Sequence, residues 1–210
     1  MADEPDLDSA YALETPDDNR KLYKNWAETY DADFVEGAGF RFPRLVAEAF
    51  NTSGQAGPVL DVGCGTGAVA MSLRPEVEVD GLDLSSEMLA VAQRKGRYRD
   101  LIEANLKEPL PLPDGVYGGL TSSGTFTHGH VGAEALDELV RVLAPGAFSA
   151  ISVRDMVWDS MGFHEAFQRL TKEGAITPPE RAPHRIYESA DTAPEGHAED
   201  IAYLTTFRRL

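Results

Sequence analysis

Three features of the sequence predict an α/β fold built on a mostly parallel sheet with helices on both faces. Strand-like and helix-like segments alternate from residue 58 onward, the pattern of parallel strands joined by crossover helices. The apolar run Pro58–Val62 passes straight into the glycine turn Gly63-Cys64-Gly65-Thr66-Gly67 and then into the helix-forming stretch Ala68–Leu73. Near the C-terminus, His184–Ser189 and Ile201–Arg208 predict an antiparallel hairpin around the loop Asp191–Glu199, in which Tyr203, Thr205 and Phe207 alternate as half-buried strand residues do.

Residues 1–17 are acidic, are broken by Pro5 and Pro16, and are expected to be partly mobile. The rest reads as one domain, with a helical part over 18–50, a core over 58–153 and a C-terminal helix and hairpin over 154–210. Asp17 or Asp18 is placed to cap a helix carrying Tyr23, Trp26 and Tyr30 on one face. Such a stripe packs into a core or lies over a ligand, and the sequence looks the same in both cases. A second helix is predicted from about Pro43 through Phe50, followed by a loop over 51–57. Strands follow at Pro58–Val62, Val77–Leu82, near Arg99–Glu103, near Gly119–Ser122 and at Phe148–Val153. Helices are predicted at Ala68–Leu73, Ser85–Lys95, Ala133–Leu143 and Gly162–Lys172, and Glu108–Gly115 is a loop. Thr177–Arg185, with Pro178, Pro179 and Pro183, reads as a rigid connector.

Composition narrows the function classes. At 210 residues, with 42% hydrophobic and 26% charged, the chain can bury a continuous core. A formal net charge of −16 argues against nucleic acid as a partner, since phosphate binding needs a basic face. The basic run Arg94, Lys95, Arg97 and Arg99 reads as a solvated helix end. One cysteine, Cys64, leaves no intrachain disulfide and suits a reducing compartment, with the cytoplasm expected; in the glycine turn it reads as a space filler. The acidic N-terminus is no signal peptide, and no apolar run is long enough to span a membrane. Five histidines without ligand spacing give no metal site. A monomer or homodimer without a membrane partner is expected.

The glycine turn carries the chemistry. Glycines at alternate positions allow a sharp bend and let a flat ligand lie against bare main chain, as at a nucleotide-type cofactor site. Gly63-x-Gly65-x-x-Ala68, with Asp83 further on, also satisfies the dinucleotide fingerprint. Asp61 distinguishes a dinucleotide from a phosphate-free, positively charged cofactor. A carboxylate two residues before the first glycine would repel a pyrophosphate and would suit a ligand that carries an ammonium and a sulfonium. Asp61, Asp83, Asn105 and Ser122-Ser123 fall at or just beyond four successive strand ends, where ligands collect in open parallel sheets. Asp83 can accept from ribose hydroxyls or cap the following helix, and Leu84 and Met88 offer apolar contact to an adenine. Asn105 can read the adenine edge, helped by the Leu106 N–H, or serve only as a turn residue.

Leu60-Asp61-Val62-Gly63-Cys64-Gly65-Thr66-Gly67, followed by Gly81-Leu82-Asp83-Leu84-Ser85-Ser86-Glu87-Met88-Leu89, resembles the class I S-adenosylmethionine-dependent methyltransferases. Leu139-Val140-Arg141-Val142-Leu143-Ala144-Pro145-Gly146 resembles their later helix-to-strand turn. Tyr30-Asp31, Lys95-Gly96-Arg97-Tyr98 and Pro109-Leu110-Pro111 are similar, more narrowly, to the methyltransferase-like proteins named for the Williams–Beuren syndrome chromosome region. The likeness runs over roughly residues 20–153. It implies a Rossmann-like, seven-stranded sheet with an antiparallel last pair, S-adenosyl-L-methionine as cofactor and S-adenosyl-L-homocysteine as product. It further implies that Asp61 and the turn residues Gly63, Cys64 and Gly65 face the methionine part, that Asp83 meets the ribose, and that the Tyr23–Tyr30 helix lies across the cofactor as a lid. Two positions depart from the family pattern: Gly118 replaces an acidic residue, and Asn105 stands where an aspartate is usual.

Methyl transfer is an in-line displacement in which the protein positions the acceptor and excludes water. Where the acceptor starts protonated, His128, just after the fourth strand, is the candidate base; its alternative is a loop histidine bonded to a backbone carbonyl. His130 is the weaker candidate. Arg154-Asp155, with Trp158, Met161 and Phe163, can line an acceptor mouth or simply pack the next helix. A small-molecule acceptor is expected, and a non-catalytic S-adenosylmethionine-binding sensor or scaffold is the alternative. A nicotinamide-dependent oxidoreductase rests on the glycine spacing alone.

Overall fold

A computed structural model describes Leu22, Lys24 and residues 26–210. The acidic N-terminal stretch, the capping aspartates and Tyr23 lie outside the described residues. A π-helical turn, Asp31–Glu36, leads to α1 (Phe42–Thr52), then β1 (Val59–Val62), α2 (Ala68–Ser72), β2 (Val79–Asp83), α3 (Ser86–Lys95) and β3 (Asp100–Glu103). After a loop come β4 (Tyr117–Phe126), a 3-10 turn, α4 (Leu136–Val142), β5 (Leu143–Arg154), α5 (Phe163–Lys172), β6 (Glu180–Arg185) and β7 (Ile201–Arg208). The strands form one sheet in the order β3-β2-β1-β4-β5-β7-β6. The first five are parallel; β7 runs antiparallel to β5, and β6 antiparallel to β7. The seven-stranded, mostly parallel sheet with antiparallel closing strands is the Rossmann-like architecture expected.

Strand parity divides the core. On β1, Leu60 and Val62 join the cluster packed by α4 and α5, while Val59 joins the one packed by α1 and α2; Ile151 and Ala150 on β5 divide the same way. Asp61 shares the parity of Val59 and faces the α1 side, where it is fully buried. The glycine turn needs its glycines at defined points. Gly63 has φ +61°, and a Cβ there would stand 2.0 Å from Thr125 Oγ1. Ser85 caps α3 by accepting from the Met88 N–H at 3.2 Å.

Beyond β5, which begins at Leu143 rather than Phe148, and α4, which is α-helical only from Leu136, two elements differ from the sequence reading in ways that bear on the site. The fourth strand runs beyond Ser122 to Phe126, with a bulge in which four steps along β4 pass against two along β5 (Ser122 opposite Ile151, Phe126 opposite Val153). Gly124, at φ +79°, sits in that bulge, which turns Ser123, Gly124 and Thr125 out of the ladder. The closing hairpin is also placed earlier than predicted. Its first strand is Glu180–Arg185, within the supposed connector, and only His184 and Arg185 are common to both readings. β6 is the sheet edge among the described residues, and at an edge a proline such as Pro183, opposite Tyr203, is tolerated. Residues just beyond β6 pair instead with the segment before α1, through a Phe40–Tyr187 bridge and the Arg41 N–H donating to the Ile186 carbonyl.

Candidate active site

A cleft of about 820 Å³, open mouth included, lies at the carboxyl ends of β1, β2, β3 and β4. Of the residues expected there, Tyr30, Gly63, Gly65, Asp83, Leu84, Met88, Asn105, Leu106 and Ser123 line it. Asp83 joins two of its walls. Its Oδ2 accepts the Gly65 N–H at 2.8 Å and its Oδ1 the Ser85 N–H at 2.9 Å, so one carboxylate ties the glycine turn to the start of α3. Burial pushes its pKa above the ordinary carboxylate value, against the pull of the Ser85, Gly65 and Leu84 N–H groups. The helix-start role and a place on the cleft thus coexist. Asn105 also does both: its Oδ1 accepts the Lys107 N–H, its Nδ2 donates to Glu108, and it lines the cleft. Gly65 has φ +51°, and a Cβ there would meet nothing within 4 Å. Ser123 Oγ is buried without a hydrogen-bond partner among the described residues.

Of the residues expected to hold the cofactor, Asp61, Cys64 and Ser122 do not line the cleft. Asp61 accepts from Tyr98 OH at 2.7 Å and Thr121 Oγ1 at 2.9 Å on the α1 side of the sheet. Burial raises its pKa to about 7 against those two hydroxyls, with Asp83 adding a smaller upward push. Cys64 is buried, with its Sγ beside Gly81 and its thiol pKa pushed well up by burial, which fits the space-filling reading. Ser122 Oγ donates to the Val62 carbonyl at 2.8 Å and ties β4 to β1. Both side chains are held inside the ladder, on opposite faces: Asp61 stands opposite Thr121 with Val62 still paired after it, and Ser122, opposite Val62, is the last paired residue before the bulge.

His128 is exposed and is absent from the cleft wall. Its carbonyl is the partner of His130 Nδ1 at 3.0 Å, and His130 is the histidine on the wall. Burial lowers the His130 pKa, with Lys107 and His128 pushing the same way and the His128 carbonyl opposing. The loop doubles back at Gly129 (φ +75°), which separates two histidines that the sequence places side by side.

A second cavity, of about 540 Å³ with its mouth, adjoins the first and shares Tyr30, Gly124 and His130 with it. Phe34, Phe40, Phe42, Phe126 and Tyr187 make its apolar wall, and Arg154 enters from the end of β5. Arg154 is paired with Asp200 at 3.0 Å. Asp155, Trp158, Met161 and Phe163 take no part in this wall: Trp158 and Phe163 are buried against Phe167 and the α5 core.

Sequence reasoning passed over the ties between the N-terminal segment and the turn. Asp31 accepts from Thr66 in the turn and pairs with Lys95 at the end of α3, and Arg94 pairs with Glu28. Arg97 donates to the Arg74 and Val77 carbonyls, and Arg99 grips Asp80. The four cations of the basic run are therefore structural ties. The signal available was the joint appearance of Tyr30-Asp31 and Lys95–Tyr98 among the resembling motifs. Trp26 is buried and packs edge-on against Tyr30 at 5.1 Å, so the aromatic stripe serves as core at one position and as cleft wall at the next.

Comparison with known proteins agrees with this geometry. Residues 60–151 match the family model described as a methyltransferase domain. Over 149 residues the chain is 38% identical to human methyltransferase-like protein 27, covering 66% of this chain and 60% of that protein. Over 95 residues it is 41% identical to the demethylmenaquinone methyltransferase of Thermus thermophilus, covering 42% of this chain and 43% of that one. These matches span less than two thirds of either relative's length. A solved structure of a SAM-dependent methyltransferase from Thermotoga maritima superposes with a TM-score of 0.59 at 16% identity, covering 91% of this chain and 99% of the other, which supports the fold. Residues 60–151 are accordingly a methyltransferase domain, set in a sheet with the fold of solved S-adenosylmethionine-dependent methyltransferases.

Proposed function

We propose that the chain transfers a methyl group from S-adenosylmethionine to a small-molecule acceptor. The observation that carries this reading is the composition of the first cleft. Asp83 has accepted one N–H on each oxygen and keeps lone pairs for ribose hydroxyls. Leu84, Met88 and Leu106 give an adenine its apolar bed. Gly65 leaves open space where any side chain would intrude, and the orphaned Ser123 Oγ awaits a polar ligand atom. The residues present fit the cofactor. When bound, S-adenosylmethionine supplies an activated methyl group on a sulfonium.

The protein's part is to orient and to exclude water. Tyr30 lies on both cavities, and Asp31 holds the segment bearing it to Thr66 and Lys95. Asp31→Ala is expected to weaken S-adenosylmethionine binding about tenfold, the equivalent of about 1.4 kcal/mol, because the segment would need ordering on binding. Isothermal calorimetry on the variant and the parent measures this, and equal affinities would mean that the segment does not support the cofactor.

Calorimetry of the full chain with S-adenosylmethionine, S-adenosylhomocysteine and NAD tests the reading itself. Binding of the first two alone supports it. Binding of NAD alone would overturn it and restore the dinucleotide reading of the glycine turn.

A further inference from the structure

Tyr98 stands between the end of α3 and the start of β3, and its neighbours in sequence fix it there. Gly96, at φ +65°, closes α3 and turns the chain. Arg97 donates to the Arg74 and Val77 carbonyls at 3.0 and 2.9 Å, and the Arg99 N–H donates to the Val79 carbonyl at 2.8 Å. The ring held between these ties lies against the glycine turn. A Cβ on Gly67 would stand 3.0 Å from Tyr98 Cε2, and a Cβ on Gly81 would stand 3.0 Å from Cε1. Gly81 is not among the glycines with positive φ, so its missing side chain serves space rather than backbone conformation. It makes room for the Tyr98 ring together with Leu101 and Cys64 Sγ.

The hydroxyl of that ring donates to Asp61 Oδ2 at 2.7 Å, while Thr121 Oγ1 donates to Oδ1 at 2.9 Å. The carboxyl is fully buried, and among the described residues no cation pairs with it. The titratable groups that face it are Tyr98, Asp83 beside the turn and the Cys64 thiol, and the core that α1 and α2 build on its side of the sheet is apolar. Burial, and then the Asp61 carboxyl itself, push the Tyr98 pKa well above 10, so this hydroxyl stays a donor. A buried carboxyl with hydroxyl donors and no counter-charge is poised to ionise when a positive charge arrives nearby.

We propose that Tyr98 is a positioning residue for the cofactor: its ring props the glycine turn, and its hydroxyl holds Asp61 in place to give up a proton when S-adenosylmethionine binds. The inference rests on the methyltransferase reading above. The proton passes from the Asp61 carboxyl to solvent and leaves a carboxylate that accepts from both hydroxyls; no bond of the cofactor changes. The Tyr98 hydroxyl favours that carboxylate, because a donor stabilises the charged form. The free carboxyl is half-titrated at about pH 7, so the exchange falls near neutrality. Reciprocity of coupled equilibria then requires S-adenosylmethionine to bind more tightly as pH rises through this range. S-adenosylhomocysteine lacks the sulfonium charge and couples less, so the preference for cofactor over product grows with pH.

The test follows the Asp61 carboxyl by carbon NMR in the full chain, its signal assigned by its loss in Asp61→Asn. The midpoint is expected at about 7 in the free protein, to fall by about half a pH unit with S-adenosylmethionine bound, and to fall by less with S-adenosylhomocysteine. Tyr98→Phe keeps the ring and loses the donor. Its Asp61 midpoint is expected to rise by about one pH unit, with S-adenosylmethionine affinity about twofold weaker than the parent's at pH 7 and equal to it at pH 8.5. A merely structural role would leave the same loss at both pH values. Tyr98→Leu also removes the prop and is expected to bind about tenfold more weakly at either pH. Should it fail to fold, Tyr98→Phe still decides. An Asp61 midpoint unmoved by bound S-adenosylmethionine, or an equal loss for Tyr98→Phe at both pH values, would overturn this inference and leave the methyltransferase reading intact. Parent-like affinity in a folded Tyr98→Leu would overturn the prop, and failure of the parent to bind either ligand overturns both readings.

Discussion

Asp83→Ala is expected to weaken S-adenosylmethionine and S-adenosylhomocysteine binding about 100-fold, close to 3 kcal/mol. Two losses combine in this variant. The ribose would lose a buried charged acceptor, and each hydrogen bond to a charged group contributes about 1.5–3 kcal/mol. The Gly65 and Ser85 N–H groups would lose their shared acceptor as well, so the glycine turn and the start of α3 would no longer be joined by one side chain. Asp83→Asn separates the two. It keeps an acceptor and the shape but places an amide NH₂ against one of two N–H groups, so an intermediate loss of about tenfold is expected. The measurement is calorimetry, with circular dichroism to establish that each variant is folded. An Asp83→Ala variant that binds within about threefold of the parent would remove the ribose from this carboxylate.

The fold was largely legible because its signals are local. β1, the glycine turn, α2, β2 and α3 are each announced by apolar runs, glycines and a serine cap within a few residues, and the structure places them within two residues of where the sequence did. What escaped depends on contacts distant in sequence. β6 looked like a connector because three prolines dominate Thr177–Arg185; Pro178 and Pro179 precede the strand, and the place of β6 at the sheet edge makes Pro183 acceptable. The bulge in β4 has no signature beyond Gly124, yet it brings Ser123, Gly124 and Thr125 to the cleft. Parity is decisive for Asp61. Two residues upstream of a cofactor turn sounds close to the ligand, but inside a strand that spacing puts a side chain against the sheet's own layer. His128 and His130 show the same limit in a loop, where a single positive φ at Gly129 decides which imidazole reaches the wall.

That placement of Asp61 leads to a pH effect of definite sign. Its carboxyl is fully buried, and its pKa rises from 3.8 to about 7 because water is excluded, an effect that the Tyr98 and Thr121 hydroxyls only partly offset. Between these two values the folded protein holds a proton that the unfolded chain has released, so this group makes stability fall as pH rises, until the trend ends above about 7. Asp61→Asn removes the titration and keeps the shape; its Oδ1 can accept from Thr121 while its Nδ2 donates to the Tyr98 oxygen, since a hydroxyl both donates and accepts. Other titrating groups are common to both proteins and largely cancel when one stability curve is subtracted from the other. The stability of the Asn variant relative to the parent is therefore expected to increase by about 2 kcal/mol between pH 5.5 and 8, from a shift of about 1.5 pH units within the window. Urea unfolding at the two pH values measures it, and a difference that stays flat would mean that Asp61 is ionised in the folded protein throughout. The same variant separates support from direct contact. With Asp61 beneath the turn, S-adenosylmethionine affinity should change by less than about fivefold, whereas a carboxylate facing the cofactor's ammonium, as the family resemblance implied, would cost tenfold or more at neutral pH.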